Sequence, residues 1–189
     1  DVMVAVDDAA NAEELSAAAV AAGVTLRVLL EVDAGMGRCG VPAGAPALAL
    51  ARTLADLPGL RFEGLMGYEG HAVMIPDRAE RRAAAERAMA TLVGARDALQ
   101  REGLPVGIVS GGGTGTYDVT GAYPGVTEVQ AGSYATMDAR YHSVGIEFAQ
   151  ALTVVSRVIS ARDDVAIIDA GLKTMTTEFG LPVVMRPEG

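Results

Sequence analysis

The segment LRVLLEVDAGMGRCG, residues 26–40, decides the fold. Leu26 to Val32 is a near-continuous apolar run, as expected for a strand buried on both faces of a parallel sheet. Directly after it come Gly35, Gly37 and Gly40, with Arg38 among them. A buried strand that opens into a glycine-rich turn holding one fixed cation is the start of a ligand-binding edge in α/β folds.

Outward from this segment, short β-rich runs alternate with Ala-rich helical stretches, the pattern of successive βαβ units. Val2 to Val6 reads as a strand, and a helix from about Asn11 to Ala22 closes on Gly23. A helix from about Pro46 to Leu57 stops at Pro58-Gly59, and Leu60 to Tyr68 is the third strand. Arg78 to Glu102 is a long amphipathic helix ending at Gly103; Val106 to Val109 and Val126 to Gln130 make the fourth and fifth strands. Glycine and polar residues follow each strand: Gly67, Gly70 and His71 after the third, Gly111 to Gly113 after the fourth, Gly132-Ser133 after the fifth. Turns favour glycine for its backbone freedom alone, yet four such loops on one edge point to a binding site. The pattern changes near Ser143, where Ala151 to Ser160 and Val165 to Ala170 read as strands without a long helix between them. The expected organisation is a partial barrel over residues 1–142 and the beginning of a C-terminal β domain over 143–189.

Composition narrows the function. Half of the 189 residues are hydrophobic and 21% charged, enough to bury a core. A net charge of −9 argues against nucleic acid or an anionic membrane as partner. The single cysteine, Cys39, excludes an internal disulfide framework and suits a reducing compartment, the cytoplasm. No apolar run reaches the roughly 18 residues that span a bilayer. The first residue is Asp1 rather than Met, as in a fragment or a processed product, and the only lysine is Lys173.

Two motifs bear chemistry. Ser110-Gly-Gly-Gly-Thr-Gly-Thr116 follows a strand and can aim several N–H groups and hydroxyls at an anion. It has neither the lysine of a Walker loop nor the long helix that a dinucleotide fingerprint requires. Arg38, in Asp33-Ala-Gly-Met-Gly-Arg-Cys-Gly40, could donate to a phenolate or carboxylate, or pair structurally with Asp33 or Glu31. No serine or cysteine triad is evident, because His71 and His142 lack local partners.

These stretches carry a family resemblance. Asp33 to Gly40 is similar to the D-T-G-M-G-R-x-G segment of alanine racemases. Gly64-Leu-Met-Gly-Tyr-Glu-Gly-His71, Val109 to Thr114, Glu128-Val-Gln-Ala-Gly-Ser-Tyr134 and Ile168-Asp-Ala-Gly-Leu-Lys173 resemble the D-threonine aldolase and D-serine dehydratase branch of the same fold-type III family. The resemblance implies an α/β chain forming part of a (β/α)8 barrel, with pyridoxal 5'-phosphate (PLP) as cofactor. It implies Arg38 near the cofactor's phenolic oxygen, Tyr68 against its ring, and Gly112, Gly113, Thr114, Gly132 and Ser133 around its phosphate. Gln130 falls where racemases place an arginine at the ring nitrogen, and His71 borders the substrate. The implied reaction is lysis of a D-3-hydroxy amino acid, by retro-aldol cleavage or loss of water. An amino-acid racemase and a PLP-binding protein without turnover are the alternatives. Family members carry the cofactor on a lysine of the first barrel strand, upstream of anything matched here, and Lys173 does not take that place. The ligands of a divalent metal, where the branch uses one, would lie beyond Gly189. A homodimer is expected of the full-length protein.

Overall fold

A computed structural model describes residues 2–184. Strand β1 (Met3–Val6) leads through α1 (Ala9–Ala22) to β2 (Leu26–Glu31), and α2 (Ala45–Asp56) leads to β3 (Leu60–Met66). Helix α3 (Arg78–Arg101) returns the chain to β4 (Ile108–Gly111), and the four-residue α4 (Tyr117–Thr120) precedes β5 (Glu128–Val129). All five strands are parallel and lie in the order of the sequence. Sequential order with no reversal is the arrangement of a barrel wall rather than of a doubly wound sheet. The α/β parallel architecture expected from the alternation is therefore present.

Local chemistry sets the helix ends. Asp8 caps α1 by accepting from Asn11 N–H at 2.9 Å, and Gly23 ends it in the left-handed conformation. Asp77 caps α3 through Glu80 N–H at 2.8 Å. Helices α1, α2 and α3 pack on the sheet face that presents Val6, Val28, Leu30, Val32, Leu65 and Val109, joined by Leu50, Leu54, Met89, Leu92 and Leu99 in one core. The alternate residues of β2, Arg27, Leu29 and Glu31, point to the other face, as strand periodicity requires. Glu63 is an extra residue on β3 between the pairs Val28–Phe62 and Leu29–Gly64. Its Oε1 accepts from both Arg27 Nε and Arg61 Nε, at 2.7 and 2.6 Å.

Three short elements escaped the sequence reading: α4, a 3-10 turn at Ser133–Ala135, and α5 (Ala139–Ser143). The fourth strand begins at Ile108 rather than Val106, because Pro105 has no N–H to join the ladder and the first bond is Gly107 N–H to Glu63 O. Beyond the sheet, β6 (Val158–Arg162) and β7 (Val165–Ile168) form an antiparallel hairpin. The expected strand from Ala151 starts only at Val158. The N–H groups of Ala151 and Leu152 both go to Thr136 O, which ties this stretch to the turn after β5 instead of a partner strand. Both hairpin strands are exposed on both faces. No helix among the described residues is long and apolar enough to cross a membrane.

Candidate functional site

The C-terminal ends of β2, β3, β4 and β5 converge on a cavity of about 310 Å³ lined by Arg38, Tyr68, Gly113, Thr114, Gln130, Gly132, Ser133 and Tyr141. All of these but Tyr141 are placed by the turn that follows their strand. Asp33 shapes the first turn, accepting from the N–H groups of Gly35 and Gly37 at 2.9 and 3.0 Å. These donors hold its carboxyl below the ordinary carboxylate range. The turn closes at Gly40, whose N–H donates to Asp7 at 2.9 Å and whose backbone lies against Val32 and Asp33 too closely for any Cβ.

Arg38 leaves this turn toward Tyr68, its guanidinium carbon 5.5 Å from the ring centroid. Its second neighbour is Glu31, 3.9 Å away. Burial and the nearby Asp7 raise the Glu31 carboxyl, and Arg38 opposes them. Asp33 is thus a turn former and Glu31 the ionic partner. The Tyr68 ring lies between two glycine backbones. A Cβ on Gly70 would meet Tyr68 Cε1 at 2.6 Å, and one on Gly113 would meet Tyr68 Cε2 at 3.1 Å. Burial, then Tyr141 and Glu69, raise its phenol, while Arg38 opposes them.

Under the glycine loop sits Glu69, which is completely buried. Its Oε2 accepts from Gly112 N–H at 3.0 Å, and its Oε1 from Thr116 Oγ1 at 2.7 Å and Thr120 Oγ1 at 2.6 Å. Thr116 in turn accepts from Gly113 N–H at 3.2 Å. Thr114 Oγ1 accepts from Tyr134 N–H at 2.9 Å, joining the loops after β4 and β5. Seven of the eight residues expected around a cofactor therefore share one cavity. Gly112 lies behind it, with its N–H directed to Glu69. His71 is exposed and stands beside Gly35 and Asp33, outside the cavity lining.

Glu69 and Tyr141 were not singled out from the sequence. The partners of Glu69 are 43 to 51 residues away, so nothing local marks it. Tyr141 reaches the cavity from α5, whose N-cap Asp138 accepts from Tyr141 N–H at 2.9 Å. Asp138 before a helical stretch was the available signal. The far wall is fastened by buried Arg81, which donates to Ile75 O at 2.6 Å and Val144 O at 2.9 Å. Phe148 stacks there on Tyr117 and Tyr134, with centroids 5.1 and 5.4 Å apart. Among the described residues no group of three His, Cys, Asp or Glu side chains is gathered as a metal site.

The profile of the alanine racemase N-terminal domain matches residues 1–140, which include every strand of this sheet. The chain belongs to the alanine racemase N-terminal-domain family. It is similar to a 3-hydroxy-D-aspartate aldolase of Paracoccus denitrificans, 38% identical over 97% of this chain and 50% of the relative. A D-threo-3-hydroxyaspartate dehydratase of Delftia sp. is 36% identical over 95% of this chain and 49% of its own length. Among solved structures, D-threonine aldolase from Filomicrobium marinum superposes with a TM-score of 0.92 at 37% identity, covering 99% of this chain and 52% of that one. The chain spans about half the length of these relatives. The D-3-hydroxy amino acid branch of the family is thus where its similarity lies.

Proposed function

We propose that this chain forms the cofactor-facing wall of a PLP-dependent lyase that acts on D-3-hydroxy amino acids. The observation that carries the reading is the cavity at the strand ends, where a cation on an aromatic face stands across from a backbone-lined polar cradle. The residues fit the group. Gly113, Thr114, Gly132 and Ser133 bring backbone and hydroxyl donors for a phosphate, Arg38 a fixed charge for a phenolate, and Tyr68 a flat wall for a ring. When bound, PLP supplies an electron sink for the carbanion left as a bond beside the amino group breaks. Arg38 balances negative charge at one edge, Tyr68 limits the tilt of a ring, and the glycine backbones exclude water by close approach.

Both aldol cleavage to glycine and an aldehyde and β-elimination of water to an oxo acid and ammonia fit this wall. The relatives' names include both activities. Gln130 is neutral where a racemase of this fold would carry an arginine, which favours the lyase over the racemase. The hairpin after Val158 is read as the beginning of a second, β-rich domain, and the site that borders the substrate is extended to His71. A cytoplasmic homodimer, with any divalent metal held outside this chain, completes the proposal.

The test compares Arg38→Ala with Arg52→Ala in the full-length enzyme. Arg52 sits on α2 and pairs with Glu102 at 2.7 Å, away from the cavity. Losing one charge-assisted bond costs roughly 1.5–3 kcal/mol, so Arg38→Ala should weaken PLP retention and kcat/KM by about ten- to a hundredfold. Arg52→Ala should leave both within about twofold, since exposed pairs contribute little. Equal losses from the two variants would refute the assignment.

A further inference from the structure

We propose that Ser110 and Glu128 are positioning residues that fix the polarity of the Gln130 amide, making the cavity wall there a hydrogen-bond acceptor. Ser110 lies at the end of β4, fully buried, and Glu128 is its parallel partner on β5. The Ser110 hydroxyl has one proton, and it donates that proton to Glu128 Oε1 at 2.5 Å. A carboxylate can only accept, so the direction of this bond is set. Toward Gln130 the serine oxygen can then only accept, and Gln130 Nε2 donates to it at 2.9 Å. The backbone of Gln130 is itself pinned by its N–H bond to Gly111 O at 2.8 Å.

An isolated amide could turn over at little cost. Here the flip would set Gln130 Oε1 against a serine oxygen whose proton is already given away, leaving two acceptors face to face. Gln130 lines the cavity, and its Oε1 meets no donor among the described residues. The free carbonyl is therefore the group offered to a ligand, and it selects one that carries a proton at that point.

This inference rests on the PLP reading. The rim of PLP carries a phosphate, a phenolic oxygen and a ring nitrogen. The loop donors suit the first and Arg38 the second, and the resemblance to racemases of this fold, which place an arginine at the ring nitrogen in the matching segment, sets Gln130 at the third. An acceptor there favours the protonated ring, which withdraws electrons more strongly than the neutral one. The three side chains thus set the strength of the electron sink from outside the cofactor.

The experiment loads the full-length enzyme with PLP carrying ¹⁵N in the ring and follows that nitrogen by NMR across pH. In the wild-type enzyme the ring nitrogen should be protonated at neutral pH. Ser110→Ala and Gln130→Leu should each lower its apparent pKa by about one unit or more, a tenfold loss of proton affinity. Because both break one relay, Ser110→Ala should add nothing further in a Gln130→Leu background. Glu128→Gln keeps the shape but can donate to Ser110, so it should give an intermediate downward shift. Glu128 is exposed, which keeps the question open to measurement if Ser110→Ala fails to fold. An unchanged titration in Glu128→Gln, or additive shifts in the double variant, overturns the relay. Loss of PLP retention by the wild-type enzyme is a separate result, and it overturns the functional reading together with this one.

Discussion

Two carboxylates flank the site and hold different parts of it. Asp33 is stabilised as the anion by the N–H groups of Gly37 and Gly35, so its folded pKa lies below the ordinary 3.8. A depressed acid stabilises the fold above its unfolded pKa and loses that contribution as pH falls through the lower, folded value. Asp33→Asn should therefore be less stable than the parent near neutral pH, and the gap should narrow as pH is lowered into the acid range below the ordinary 3.8. Urea unfolding at neutral and acid pH checks it, and a gap that persists unchanged in acid would contradict the role. Glu69 is buried and satisfied by three donors. Glu69→Ala strands the N–H of Gly112 and two buried threonine hydroxyls, each at about 1–3 kcal/mol. The expected loss is about 3 kcal/mol or more in chemical unfolding, with Glu69→Gln milder. A loss under about 1 kcal/mol would mean the loop stands without it.

At the scale of elements, the junction of β3 and β4 tolerates no side chain at Gly64. A Cβ there would overlap the carbonyl oxygen of Ile108 on the neighbouring strand. Gly64→Ala must push the strands apart just before the turns that bear Tyr68 and Gly113. It should destabilise the sheet by several kcal/mol and weaken ligand retention with it, as thermal unfolding with and without PLP would report. By contrast, Asp77→Ala removes only the cap of α3 and should cost about 1 kcal/mol. If both variants melt alike, the close strand approach at Gly64 is not what holds this edge.

Over the whole molecule, hydrophobic side chains lie exposed along the C-terminal stretch: Val155 is 93% exposed, Leu181 84% and Leu172 77%. A run of such residues makes an adhesive surface. Replacing these three by serine should raise the concentration at which light scattering begins while leaving the melting temperature within a few degrees. A melting temperature that falls sharply would show that they are buried in solution. The chain's only lysine, Lys173, is exposed and outside the cavity lining. The isolated chain should therefore form no stable internal aldimine with PLP, and a borohydride-reduced pyridoxyl group mapping to a single residue by mass spectrometry would overturn this.

What the sequence by itself determined was the sheet and the edge that binds. The buried run of β2 and the stop at Gly23 are local signals, because periodicity and helix termination act within a few residues. The glycine turns were legible for the same reason, and they placed Arg38, Tyr68, Gly113, Thr114, Gln130, Gly132 and Ser133 at one end of the strands. Only the tertiary structure decided how polar groups on different turns pair. Glu69 finds Thr116 and Thr120 across the loop after β4, Ser110 meets Glu128 through strand register, and Arg81 reaches Val144 O from α3. The same long-range pairing turned Gly112 away from the cavity and drew Ala151 and Leu152 to Thr136 O, so that the first hairpin strand starts late. Hydrogen bonds between distant residues satisfy buried groups one pair at a time, and no local pattern of residue types encodes which pairs will form.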